Sequence, residues 1–264
     1  MSQTPELRTV DVMRYVTPLR EGGSLPAIVE ADDGFLYVLK FRGAGQGVKA
    51  LIAELIGGEV ARALGLRVPE LVFATVDPAF GRTEPDEEIQ DLLKFSEGLN
   101  VALHYLSGAI TYDPVVTRLE PDLASRIVWL DCFLANVDRT PRNTNMLMWR
   151  KELWLIDHGA ALYFHHAGDD PETAAAKPFF LVKDHVLLPQ ASALEAAARE
   201  CLHLLPPHTL EAIAALIPDD WLQAIPSPEP VEEKRLYYTR FLLARREASS
   251  TFLNHALHAR ETLV

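Results

Sequence analysis

Short apolar runs separated by polar breaks open the chain. Ala27-Ile28-Val29-Glu30 and Leu36-Tyr37-Val38-Leu39-Lys40-Phe41 are rich in β-branched, aromatic and aliphatic residues, and Ala31-Asp32-Asp33-Gly34 lies between them. That pattern predicts a β-hairpin closed by an acidic, glycine-ended turn. Over residues 48–64 the apolar side chains Leu51, Leu55, Ile56 and Val60 recur at helical spacing, and Gly65 follows where a helix takes a left-handed cap. Residues 68–74 and 100–106 read as further strands. Between them, residues 77–98 carry an acidic run and read as a solvated loop or irregular helix.

Beyond Ser107-Gly108 helices dominate, at residues 124–135, 191–224 and 231–261, the last two separated by Pro226-Ser227-Pro228-Glu229-Pro230. One hairpin interrupts them: Met146-Leu147-Met148-Trp149, a turn at Arg150-Lys151-Glu152, then Leu153-Trp154-Leu155-Ile156. Trp149 and Trp154 are expected to pack across it. The order predicts an α+β chain, with a strand-rich part over 1–106 and a helix-rich part over 107–264 facing each other across a cleft.

Composition narrows the function. The 264 residues are 48% hydrophobic and 23% charged, an ordinary globular balance. Acids outnumber Lys and Arg by 37 to 25, a net charge of −12, which opposes nucleic acid as a partner. No apolar run approaches membrane-span length and the N-terminus lacks a signal-peptide core, so a cytoplasmic protein without a membrane partner is expected. Cys132 and Cys201, isolated in apolar segments, are expected to be buried reduced thiols.

Candidate chemistry is concentrated around the second hairpin. Asp138, Asn143, Asn145 and Asp157 bring small oxygen-bearing side chains to its flanks, and the hairpin can carry Asn145 and Asp157 to one edge. Such oxygens suit Mg²⁺, with Asp138 placed to orient or deprotonate a hydroxyl. The same residues also suit loop-capping hydrogen bonds, and spacing alone leaves both open. Lys40, at the end of an apolar strand, and Glu54, near the apolar stripe of the following helix, would satisfy each other's charge, with Glu59 the rival partner; a surface lysine and an unrelated helix acid fit the spacing equally. Gly22-Gly23-Ser24 could let backbone N–H groups approach phosphates or form a plain loop. His165-His166 reads as an exposed loop pair, and His104 as a packed side chain.

In this order, the glycine turn, strand lysine, helix glutamate, Asp-loop-Asn and Asp-x-Gly resemble a protein-kinase-like chain. The similarity is to the HipA-like kinases, a branch near the phosphoinositide kinases. It is carried by Val38-Leu39-Lys40-Phe41, Ala53-Glu54, Ala61 to Pro69, Asn136-Val137-Asp138-Arg139 to Asn145, and Leu155-Ile156-Asp157-His158-Gly159. The resemblance implies a two-lobed kinase-like fold, with a small β-rich lobe holding one key helix and a mainly helical lobe. It implies ATP and Mg²⁺ as cofactors, with a protein Ser or Thr hydroxyl as acceptor. A small-molecule or lipid-headgroup kinase and a nucleotide-binding pseudokinase are the alternatives. Lys40 would meet the α- and β-phosphates, held by Glu54, with Gly22, Gly23 and Ser24 over the nucleotide. Asp138 would be the catalytic aspartate, and Asn145 and Asp157 the metal ligands. Asn143 is the alternative ligand, because it lies five residues after Asp138. Backbone groups of Ala102, Leu103, His104 and Tyr105 would meet adenine. His158 stands where related kinases commonly have phenylalanine.

Overall fold

The computed structural model describes residues 6–19, 25–80 and 86–263. The first half builds a closed five-stranded barrel from β1 (Thr9–Pro18), β2 (Ala27–Ala31), β3 (Leu36–Lys40), β4 (Leu71–Val76) and β5 (Gly98–His104), in the order β1-β2-β3-β5-β4. The expected hairpin is β2–β3, paired from Ala27↔Leu39 to Glu30↔Leu36. Strand β1 was not among the expected elements. It closes the barrel by pairing antiparallel with β2 and parallel with β4, which leaves no open sheet edge. Strand β4 starts at Leu71, after Pro69, a residue with no N–H to give a ladder.

Two helices belong to this half. Helix α1 (Val48–Ala63) forms as the spacing predicts, with Gly65 at φ 71° beyond its end. Helix α2 (Glu87–Phe95) replaces the expected loop or irregular helix, because the Asp86 side chain caps it by accepting the N–H groups of Glu88 and Ile89. Helix α1 is apolar on nearly every face. Leu51 through Ala61 are buried, against helices over Pro207–Ala215 and Asp219–Ala224 on one side and the barrel on the other.

The second half is mainly helical. Strand β6 (Ile110–Thr111) leads to α3 (Pro121–Leu134), then to the hairpin β7 (Met146–Trp149) and β8 (Glu152–Leu155). Its turn is only two residues, Arg150 and Lys151, both with positive φ, and Glu152, expected in the turn, begins β8 paired with Trp149. Helices α4 (Phe164–Ala167), α5 (Pro171–Ala175), α6 (Leu194–Leu204), α7 (Pro207–Ala215), α8 (Asp219–Ala224), α9 (Val231–Glu247) and α10 (Ser249–Glu261) complete it. Prolines 206, 207 and 218 separate α6, α7 and α8.

The barrel interior is one apolar cluster, and a larger one joins α1 to α3 and the C-terminal helices. Helix α1 therefore shares its core with the C-terminal half, although the sequence places it among the strands. Trp221 of α8 adds a second tie to the barrel: its ring packs edge-on against Phe73 and its indole N–H donates to the Leu99 carbonyl at 2.8 Å. Tyr238 and Phe241 of α9 are buried, and Phe241 stacks on Phe164 at 3.9 Å. Both cysteines are buried and free. Trp149 and Trp154 meet edge to face at 5.4 Å, as the hairpin pattern predicts.

Candidate active site

Lys40 ends β3 with its ammonium 2.8 Å from Asp157 Oδ1 and 3.8 Å from Glu54 Oε2. The expected Lys40–Glu54 pair forms, but Asp157 is the nearer partner. Glu59 faces Arg62 of its own helix at 3.7 Å. Glu54 is buried and also accepts the backbone N–H of His158 at 3.1 Å, which ties α1 to the segment after β8. Burial opposes both charges, yet the two carboxylates hold the Lys40 pKa above its usual value, and Lys40 and His158 push that of Glu54 down to about 2. Lys40 and Glu54 are thus kept ionised in a poorly solvated place.

Asp157 and Asn145 both have left-handed backbone, with φ of 56° and 48°. Asp and Asn tolerate that region better than other residues with a Cβ, and such strain concentrates at functional sites. The hairpin register Met146↔Leu155 brings the two ends together, and Ile156 N–H donates to the Asn145 carbonyl at 3.0 Å. His158 is fully buried against α1, where Gly57 makes room for it.

Asp138 lies beside Asn145 and Asn143. Its Oδ2 accepts from Asn143 Nδ2 at 2.7 Å and from Asn145 Nδ2 at 3.2 Å. Asn145 is buried and its backbone is tied down on two sides, whereas Asn143 is exposed. Behind the loop sits Asp131 of α3, which the sequence reading missed. It is fully buried and takes hydrogen bonds from Asn136, Arg139 and His185. Burial works against its charge, but Arg139 and His185 outweigh it and hold the carboxyl below the usual range. The signal was available: a carboxylate inside the apolar run 127–134 demands buried partners.

Lys40, Asn143, Asn145 and Asp157 line one cleft of about 1020 Å³, walled on its apolar side by Val38, Leu103, Leu106, Met146 and Ile156. Asp138 joins it through Asn143 and Asn145. His104 and Tyr105 also line it, but their N–H groups donate to Glu70 and Leu36, and Ala102 and Leu103 sit inside the ladder between β3 and β4. The N–H groups of all four are spent on the sheet, because β5 is a central strand. Among the described residues, no acceptor takes the N–H of Leu106, the next residue along the cleft. Gly22, Gly23 and Ser24 lie outside the described residues.

The histidines depart from expectation in one case. His165 is not part of an exposed pair. It is buried, with Nε2 2.9 Å from His166 Nε2 and Nδ1 3.4 Å from the Tyr238 hydroxyl, because α9 covers α4. His104 packs edge-on against Phe35 and Tyr37, as expected.

Comparison with known proteins identifies the fold and the family. A Helicobacter pylori proinflammatory kinase, CtkA, superposes with a TM-score of 0.56 at 14% identity, covering 97% of this chain and 100% of its own. The Golgi casein kinase gives 0.49 at 12% identity, covering 96% of this chain and 72% of its own. Its Mn/ADP-bound form gives 0.46 at 13%, covering 94% and 72%. No protein of curated function matches the sequence. The family model described as HipA-like kinase matches residues 12–252, nearly the whole chain. The chain belongs to the HipA-like kinase family.

Proposed function

We propose that this kinase transfers the γ-phosphoryl group of ATP, with Mg²⁺, to a serine or threonine hydroxyl of a protein. One observation carries the reading. A half-buried lysine held by two carboxylates, Glu54 and Asp157, lines the same cleft as Asn145, whose side chain meets Asp138. The acceptor class follows from the family resemblance. The buried, unpaired Cys132 and Cys201 suit a reducing compartment such as the cytoplasm.

The donor set suits Mg²⁺. Asn145 spends its amide nitrogen on Asp138, which leaves its side-chain oxygen for a cation, and Asp157 keeps Oδ2 once Oδ1 meets Lys40. These are the hard oxygen ligands that ion prefers, and when bound it supplies positive charge to phosphate oxygens. Asn145 fits better than Asn143, because its backbone is fixed by Arg139 and Ile156. The Lys40 ammonium offsets charge on the nucleotide phosphates. The apolar wall takes the base, and Leu106 offers it the free N–H.

Transfer then needs little covalent help from the protein. The acceptor oxygen forms a bond to the γ-phosphorus as the bond to the β,γ-bridging oxygen breaks. The electron pair of the broken bond leaves with ADP, and the hydroxyl proton passes to the Asp138 carboxylate.

The test is intact-mass spectrometry and phosphosite mapping after incubation with Mg·ATP, alone and with dephosphorylated casein, beside Asp138→Ala and Asp157→Asn. Phosphoserine or phosphothreonine in the wild type, lost in both variants, is the expected result. Transfer that survives Asp138→Ala would overturn the assignment of Asp138. No transfer and no thermal stabilisation by Mg·ATP would overturn the cleft itself.

A further inference from the structure

Asp131 does not line the cleft, yet three side-chain hydrogen bonds converge on its carboxylate. Its Oδ1 accepts from Asn136 Nδ2 at 2.8 Å, and its Oδ2 accepts from Arg139 Nε at 2.6 Å and from His185 Nε2 at 2.8 Å. The partners carry the connection forward. Asn136 Oδ1 accepts the backbone N–H of Asp138 at 3.2 Å, and Arg139 Nη1 donates to the backbone carbonyl of Asn145 at 2.5 Å. The two ends of the loop 138–145 are therefore fastened, through different arms, to one buried carboxylate.

His185 completes the device from another part of the chain. Its Nδ1 accepts the N–H of Leu187 at 3.0 Å, which fixes the neutral tautomer with its proton on Nε2. That proton points at Asp131, so the histidine acts as a fixed donor. The next residue, Val186, donates its N–H to the Arg139 carbonyl at 3.1 Å, so the 180–187 segment clamps the loop twice. A buried ion pair is seldom the most stable way to fill such a space, since apolar residues of similar volume often do as well. What apolar packing could not supply is a directional hold on the Asp138 N–H and the Asn145 carbonyl.

We propose that Asp131 and His185 are positioning residues, which set the loop so that the Asp138 and Asn145 side chains meet at the cleft. This rests on the reading of those two residues as proton acceptor and metal ligand. His185 tests it better than Asp131, whose removal leaves Arg139 buried and unpaired. Gln places an amide N–H where His has Nε2–H, and Leu places none.

His185→Leu is expected to lower kcat for transfer from Mg·ATP to dephosphorylated casein by about tenfold to a hundredfold, the size of effect that small misplacement produces. KM for ATP should stay within about twofold, because Lys40 and the apolar wall are not touched by the change. His185→Gln should restore most of the rate. Independently of activity, amide hydrogen exchange should quicken over residues 138–145 in His185→Leu while α3 keeps its protection. Equal rates in both variants, failure of Gln to restore the rate, or faster exchange spread evenly over α3 and the loop would each overturn the proposal. If the wild type transfers no phosphate, the functional reading falls and the exchange comparison decides the positioning role alone.

Discussion

Gly57 of helix α1 stands so close to His158 that a Cβ on it would lie 2.5 Å from the His158 Cβ. This is the contact through which α1 seats the Asp157-His158-Gly159 segment. It works together with the Glu54 carboxylate, which holds the His158 N–H one turn earlier on the same helix face.

Replacing that glycine tests the contact. In an unobstructed helix interior, Gly→Ala stabilises by about 1 kcal/mol. Here the methyl group must push His158 aside, so Gly57→Ala is expected to lose about 1–3 kcal/mol in urea unfolding, the usual cost of overpacking. Phosphate transfer should fall with it, because Asp157 moves when His158 does. A more stable variant with full activity would show that the segment shifts freely.

Lys40→Met removes the charge that keeps Glu54 ionised. In the wild type the Glu54 pKa is depressed, so its contribution to stability is present above its ordinary value of 4.5 and is lost as pH falls toward about 2. The variant leaves a buried carboxylate without its cation, a loss of about 3 kcal/mol or more at pH 7. Its pKa should rise, and stability should then fall as pH climbs above about 4.5, the opposite slope. Urea titrations at several pH values measure this. Lys40→Met/Glu54→Gln should recover stability but not nucleotide binding.

Asn143 and Asn145 separate by rigidity. Asn145→Ala is expected to cost at least about a hundredfold in transfer and to raise the Mg²⁺ concentration needed for half-maximal rate. Asn143→Ala should stay within about tenfold, because the lost group is an exposed hydrogen-bond donor to Asp138. A metal dependence that shifts in Asn143→Ala alone would reverse the assignment.

His165 gives the fold an acid sensitivity away from the cleft. Burial first, then the neighbouring His166 and Lys49, hold its pKa well below the ordinary 6.5. The Lys49 ammonium donates to its backbone carbonyl, Tyr238 faces Nδ1, and among the described residues no carboxylate hydrogen-bonds to His165. Below pH 6.5 the unfolded chain binds a proton that the folded chain refuses, so stability falls as pH drops, approaching about 1.4 kcal/mol per pH unit. His165→Gln should flatten the slope of unfolding free energy between about pH 5 and 6.5. An unchanged slope would place the acid sensitivity elsewhere.

The sequence by itself determined the elements that depend on a few neighbouring residues. The β2–β3 hairpin, helix α1 with Gly65 after it, and the β7–β8 hairpin all follow from local periodicity and turn chemistry. The register that brings the ends at Asn145 and Asp157 together came only with the structure, because Glu152, expected in the turn, pairs with Trp149 instead. Only the tertiary structure decided the rest. Strand β1 shows alternating buried positions at Val10 and Val12, but its parallel partner β4 lies some sixty residues away, and no local pattern names it. Of the backbone groups expected to meet adenine, the N–H groups are spent because β5 has a strand on each side, which depends on how the barrel closes. The choice of Asp157 over Glu54 as the nearer partner of Lys40, the gap at Gly57 and the convergence on Asp131 are of the same kind. Charges and voids are matched between segments far apart in the chain, and the distances that decide them exist only once the core has packed.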